Sequence, residues 1–142
     1  MKKSFELISD TRELEPFRHE MRGLLERAGF DDKAVGEVLL AVQEALTNVI
    51  RHAYSDKKGA IKIDYHEDPE KVKISILDLG KKFDITQVPD PELPREVPGG
   101  LGIYLIKNVM DSVSYDSACA EGNLLHLIKY KKRNPSKEKR GI

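Results

Sequence analysis

One stretch limits the possible folds of this chain more than any other. From residue 35 to residue 54 the apolar residues Val35, Val38, Leu39, Val42, Leu46, Val49, Ile50 and Ala53 return at helical spacing. The pattern predicts a long helix, running to about Tyr54, with one stripe turned to a core. Its opposite side is polar. Glu44 and Asn48 lie there four residues apart, which stacks a carboxylate and a carboxamide one turn above each other. Such a pair on an amphipathic helix is ordinarily a solvated face, so its meaning depends on what the rest of the chain brings to it.

A helix with an apolar stripe needs a sheet or other helices to cover it, and the sequence supplies both. Residues 5–9 alternate as a strand, and Ser9, Asp10 and Thr11 offer capping side chains. Residues 14–28 form a second amphipathic pattern with Phe17, Met21, Leu24 and Leu25 on one side, Pro16 in its first turn and Gly29 at its end. Asp31 and Asp32 cap the long helix. Residues 60–66 and 71–78 alternate apolar and polar across a turn at 67–70, which predicts a hairpin with one wet face. Residues 81–98 carry Pro89, Pro91, Pro94 and Pro98 with little periodicity. A loop that long in a small domain reads as a functional lid. A third helix is expected over 99–113, with Leu101, Leu105, Ile106 and Val109 inward. Two more strands follow at 113–117 and 123–130, about the turn at Glu121 and Gly122. The expected architecture is an α/β (α+β) two-layer sandwich, a mixed, mostly antiparallel sheet of about five strands with three helices on one face. Residues 1–131 are read as one domain and 132–142 as a charged, apolar-poor, disordered tail.

Composition narrows the function. With 24 basic and 24 acidic side chains in 142 residues, nothing resembles a nucleic-acid-binding surface. The start has no apolar run after its lysines and no stretch approaches ~20 apolar residues, so a cytoplasmic protein with no membrane segment is expected. Cys119 is the single cysteine, which excludes an internal disulfide and argues against a thiolate metal site.

Three motifs together suggest a site for ATP. Asp78-Leu79-Gly80 follows the second hairpin strand, and Gly99-Gly100-Leu101-Gly102-Ile103 opens the last helix. A carboxylate at a strand end can accept a hydrogen bond from the exocyclic amine of adenine, and guanine has no donor there; Asp78 is placed for this. Gly80 allows a close approach to the backbone. A carboxamide oxygen suits Mg²⁺, which takes few protein ligands and fills its octahedron with phosphate oxygens and water, and Asn48 fits that role. The glycines at 99, 100 and 102 allow a tight helix start whose unsatisfied N–H groups and positive dipole end attract phosphate. Glu44, one turn from Asn48, could take the proton of an attacking hydroxyl. His52, four residues beyond Asn48, either contacts phosphate or caps the helix end, and Arg95 in the lid either closes on the γ-phosphate or is solvated. The dinucleotide fingerprint lacks its third glycine, and no P-loop is present.

In their order and spacing these motifs resemble the ATP-binding domain shared by gyrase, the Hsp90 chaperone, MutL and histidine kinases, and within it the small bacterial anti-sigma-factor serine kinases. Residues 44–54 resemble the first box of that family, 78–84 the second and 99–105 the third, and the likeness spans about residues 5–131. The resemblance implies a histidine-kinase-like ATPase fold, adenine at Asp78, Mg²⁺ at Asn48, Glu44 as general base, and ATP and Mg²⁺ as cofactors. Nucleotide contacts would come from Asn48, His52, Asp78, Gly80, Arg95, Gly99, Gly100, Leu101, Gly102 and Ile103. It further implies a homodimer that phosphorylates a serine of a small anti-anti-sigma (antagonist) protein and otherwise sequesters a sigma factor, with Arg18 near the docking face. Two features depart from the pattern. Lys82 stands where many relatives have a second glycine, and Gly122-Asn123-Leu124 replaces the common Gly-Thr-Thr, which would remove a hydroxyl near the phosphates. The alternatives carried beside the kinase are a nucleotide-gated partner-binding module without phosphotransfer and a detached histidine-kinase-type ATPase domain.

Overall fold

The alternating segments assemble into one sheet with a single covered face. In the computed structural model, which describes residues 1–83, 101–116 and 121–131, the strands are β1 (Lys2–Ile8), β2 (Ala60–Glu67), β3 (Lys71–Asp78), β4 (Ser112–Tyr115) and β5 (Asn123–Tyr130). They stand in the order β1-β2-β3-β5-β4. Every neighbouring pair is antiparallel, so the expected mixed sheet is corrected to a wholly antiparallel one. The reason is that β5 pairs antiparallel with both β3 and β4 and stands between them, the two strands that run in the same direction.

The covered face carries Phe5, the isoleucines 61, 63, 74 and 76, Tyr65, Val72, Leu125 and Leu127, all buried. Over it lie α1 (Leu14–Arg27), α2 (Asp32–Asn48) and α3 (Leu101–Val109). The predicted stripe of α1 is buried as a set: Phe17, Met21, Leu24 and Leu25. Phe5 and Phe17 meet edge to face at 5.0 Å, which locks α1 to the edge strand. Asp31 caps α2 as expected, accepting the Ala34 N–H at 2.8 Å. Asp10 instead caps a short 3₁₀ turn ahead of α1, accepting the Arg12 N–H at 2.9 Å. On the open face the cross-strand row Ser4, Asp64, Ser75 and His126 is polar, with hydrogen bonds Ser4 to Asp64 at 2.6 Å and between Ser75 and His126 at 2.8 Å. Among the described residues no helix is long and apolar enough to cross a membrane.

Two helices differ from expectation at their ends, and both differences shape the site. α2 does not continue as an α-helix to Tyr54. It widens at Val49–Ala53 into one π-helical turn, in which the Tyr54 N–H reaches back five residues to the Val49 carbonyl at 3.0 Å. Ser55 and Asp56 then take left-handed conformations, φ 50° and 63°, and stop the helix. The turn is anchored on two sides: the Tyr54 hydroxyl donates to the Ala60 carbonyl at 2.5 Å and accepts the Leu79 N–H at 2.8 Å, and the Lys81 N–H donates to the Ala53 carbonyl at 2.6 Å. α3 stops at Val109 rather than Val113, because the Asp111 N–H pairs with the Ile128 carbonyl and starts β4. Its buried side is Ile103 and Ile106, continued by Met110, while the expected Leu105 and Val109 are only partly buried.

The turn into β5 depends on Gly122, which has φ +68° and on which a Cβ would run into the Asp78 carbonyl. Gly122→Ala should cost at least ~1–2 kcal/mol of stability, read as a lower urea midpoint at unchanged slope. A midpoint equal to the parent's would show that the turn relaxes without strain.

Candidate functional site

The end of α2, the end of β3 and the start of β5 meet around one pocket that opens to solvent. Asn48 and Val49 line it from the helix, Ile76 and Asp78 from β3, Asn123 and Leu125 from β5. Its walls are mostly apolar and its polar groups few, the composition suited to a flat organic ring held by one or two directional bonds.

Asp78 sits at the last rung of β3 with 1% of its surface exposed. Its Oδ1 accepts the Gly80 N–H and an N–H of the Asn123 carboxamide, each at 2.9 Å. Its Oδ2 is buried and has no hydrogen-bond partner, the one such buried side-chain atom among the described residues. Desolvation raises the Asp78 carboxyl above the ordinary 3.8, against the pull of the Asn123 and Gly80 donors. A buried acceptor left unsatisfied is a cost that a bound donor would remove. Asn48 brings a carboxamide to the same pocket, a donor of the kind that suits a cation carried largely by phosphate oxygens and water; among the described residues no group of three His, Cys, Asp or Glu could hold a metal ion.

Glu44 and Asn48 converge on the start of α3. A Cβ on Gly102 would stand 3.0 Å from Glu44 Oε2 and 3.2 Å from Asn48 Nδ2, so with any side chain there these two groups would have to give by a few tenths of an ångström. The first-turn N–H groups of α3, which have no partner within the helix itself, are on the element that approaches the carboxamide and carboxylate. Gly80 makes a similar approach: where its Cβ would be, the Ala53 carbonyl of the π-helical turn already stands. His52 lies in that turn. Its ring stacks on Phe83, centroids 4.7 Å apart at 23°. Ile103 is 2% exposed and belongs to the core, so only its backbone could reach a ligand. Leu101 opens α3. Arg95, Gly99, Gly100, Cys119, the lid from residue 84 onward and the tail from 132 lie outside the described residues.

Asn123 was expected only as a departure near the phosphates, and its contacts were not: it stands opposite Asp78 on the β3–β5 ladder. Its carboxamide makes four hydrogen bonds: Nδ2 donates to Asp78 Oδ1 at 2.9 Å and to the Lys81 carbonyl at 2.8 Å, and Oδ1 accepts the Phe83 N–H at 2.7 Å and the Tyr115 hydroxyl at 2.9 Å. Tyr115, Phe83 and the π-helical turn were not anticipated either. The one signal available was positional, since a polar Asn directly after a turn glycine falls on the first rung of the strand that follows.

The family model for the histidine kinase-like ATPase domain matches residues 7–129, and the chain belongs to that family. Within it the chain is similar to several serine-protein kinases named RsbW. It is 34% identical over 124 residues to that of Listeria innocua serovar 6a, covering 80% of this chain and 76% of the relative. To that of Oceanobacillus iheyensis it is 32% identical over 122 residues, with the same coverage. To that of Bacillus subtilis strain 168 it is 30% identical over 105 residues, covering 68% of this chain and 66% of the relative. The fold matches a crystal structure of the RsbU and RsbW domains of a Mycobacterium tuberculosis protein with a TM-score of 0.67 at 16% identity, over 94% of this chain and 33% of that one. The chain therefore falls in the anti-sigma-factor serine-kinase branch of the family.

The raised Asp78 carboxyl makes a prediction about the empty site. The folded chain holds this proton more tightly than the unfolded one, so the group's contribution is fully present below 3.8 and is lost as pH rises through the raised value. Asp78→Asn keeps an oxygen for the Gly80 and Asn123 donors and removes the buried charge. Without nucleotide it should melt higher than the parent at pH 7, with the gap closing toward pH 4. A variant melting below the parent at pH 7 would contradict the burial argument.

Proposed function

We propose that the pocket binds Mg·ATP with the adenine amine donating to Asp78 Oδ2, and that Glu44 is the base of a phosphotransfer to a serine of a small anti-anti-sigma protein. The observation carrying this reading is the buried, unpartnered Oδ2 in the same cavity as Asn48, with Glu44 one turn away at the start of α3. The Asn48 carboxamide oxygen would hold Mg²⁺, which supplies charge neutralisation on the phosphates when bound. The first-turn N–H groups of α3, from Leu101 to Ile103, and the adjoining Gly99 and Gly100 would receive phosphate oxygens. Arg95 is assigned to the γ-phosphate, and His52 to holding the start of the lid through Phe83. In the transfer, Glu44 accepts the proton of the serine hydroxyl, the hydroxyl oxygen takes the γ-phosphoryl group, and ADP leaves.

The kinase names carried by the relatives favour this reading over a module that only sequesters its partner. When it is not phosphorylating, the protein would hold a sigma factor, as a homodimer, in the cytoplasm, without touching nucleic acid itself; Arg18, exposed on α1, is assigned to that docking face. The match over residues 7–129 supports treating 1–131 as one ATP-binding domain.

Three substitutions test the roles separately. Asp78→Asn presents a donor to the adenine amine, and a mismatched buried pair costs ~1–3 kcal/mol, or about tenfold or more in ATP affinity; calorimetry giving the parent's affinity would remove Asp78 from the site. Asn48→Ala should weaken Mg·ATP strongly and metal-free ATP little, and equal losses for both would reassign the metal. Glu44→Gln keeps shape and removes the base, so transfer of labelled phosphate to the partner should fall ~10²–10⁴-fold at little changed ATP affinity. A Glu44→Gln variant as active as the parent would move the base elsewhere.

A further inference from the structure

Asn123 uses every hydrogen-bonding position it has. A carboxamide offers two donor hydrogens and one oxygen with two lone pairs, and here both donors and both acceptor sites are engaged, by Asp78 Oδ1, the Lys81 carbonyl, the Phe83 N–H and the Tyr115 hydroxyl. The Phe83 N–H and the Lys81 carbonyl fix which way the amide faces, because a flip would set donor against donor and acceptor against acceptor. Asn123 is 6% exposed, so water does not substitute for these partners. The side chain thus joins two things the backbone leaves separate: the orientation of the Asp78 carboxylate and the path of residues 81–83, the root of the loop that leaves β3.

We propose that Asn123 is a positioning and specificity residue that couples base recognition at Asp78 to the root of that loop. By holding Oδ1 from one side while the Gly80 N–H holds it from another, Asn123 prevents the carboxylate from rotating, so that Oδ2 remains the oxygen presented to the base. The same amide carries Phe83, and through its ring His52, so a base that engages Oδ2 tightens the unit to which the loop root is tied. This inference rests on the reading of Asp78 as the acceptor of an exocyclic amine. It extends that reading to a residue whose position the motif pattern assigns to the phosphates.

The probe is purine riboside triphosphate, which has the ring and phosphates of ATP without the exocyclic amine. The natural protein should bind ATP about tenfold more tightly than this analogue, the scale of one well-placed buried hydrogen bond to a charged group. In Asn123→Leu, similar in size and unable to hold Oδ1, the ratio should fall to about twofold, while analogue affinity changes less than ATP affinity. A role confined to stability would weaken both nucleotides together and leave the ratio intact, and a preserved ratio in the folded variant overturns the inference. If the natural protein shows no preference, it is the Asp78 reading that fails, a result distinct from a preference that survives Asn123→Leu. A second measurement needs no variant. In the natural protein, ATP should slow hydrogen exchange of the Phe83 amide more than saturating analogue does, and equal slowing by the two nucleotides overturns the coupling.

Discussion

The structure is arranged around a carboxylate that it only half satisfies. Burying an ionisable oxygen without a partner opposes folding, and chains retain such groups where a ligand completes them. Here one oxygen of Asp78 is held by two N–H donors and the other has none. The features around it keep the carboxylate in that state. Gly122 turns the chain tightly against the Asp78 carbonyl, which sets Asn123 on the opposing rung. Gly80 lies against the Ala53 carbonyl, which brings the end of the long helix to the same rung. Replacing either glycine with a larger residue would push β5 or the helix end away from the acid.

α2 serves both layers, and the division falls along its length as well as around it. Its N-terminal three turns bury Val35, Val38, Leu39 and Val42 against the sheet and α1, and its last turn carries Glu44 and Asn48 beside α3. The π-helical turn that follows carries His52, whose ring stacks on Phe83 at the loop root.

The asparagine at residue 123 brings four hydrogen-bonding positions and fills them all, which ties the Asp78 carboxylate in the pocket to the loop that follows β3.

Periodicity and motif spacing were enough to read the helices, the hairpin, the strand count and the candidate residues Glu44, Asn48, Asp78 and Gly102. These depend on local signals: apolar stripes at 3.6 and 2.0 residues, Asp caps, turn glycines and side chains one helical turn apart. The fully antiparallel order was not legible, because insertion of β5 between β3 and β4 is a pairing between segments 45 and more residues apart. Nor was the π-helical turn, since Val49 to Ala53 continue the apolar spacing of an ordinary helix, and it is the hold of Leu79, Ala60 and Lys81 on Ala53 and Tyr54 that accompanies the wider turn. Asn123 was visible as a departure, but its hydrogen-bond partners were not, because its neighbours are chosen by strand register. The chain by itself determined which chemical groups are present and roughly which element carries each. Tertiary structure alone decided which of them meet, because a register and a crossover are set by the whole core and leave no local trace in the sequence.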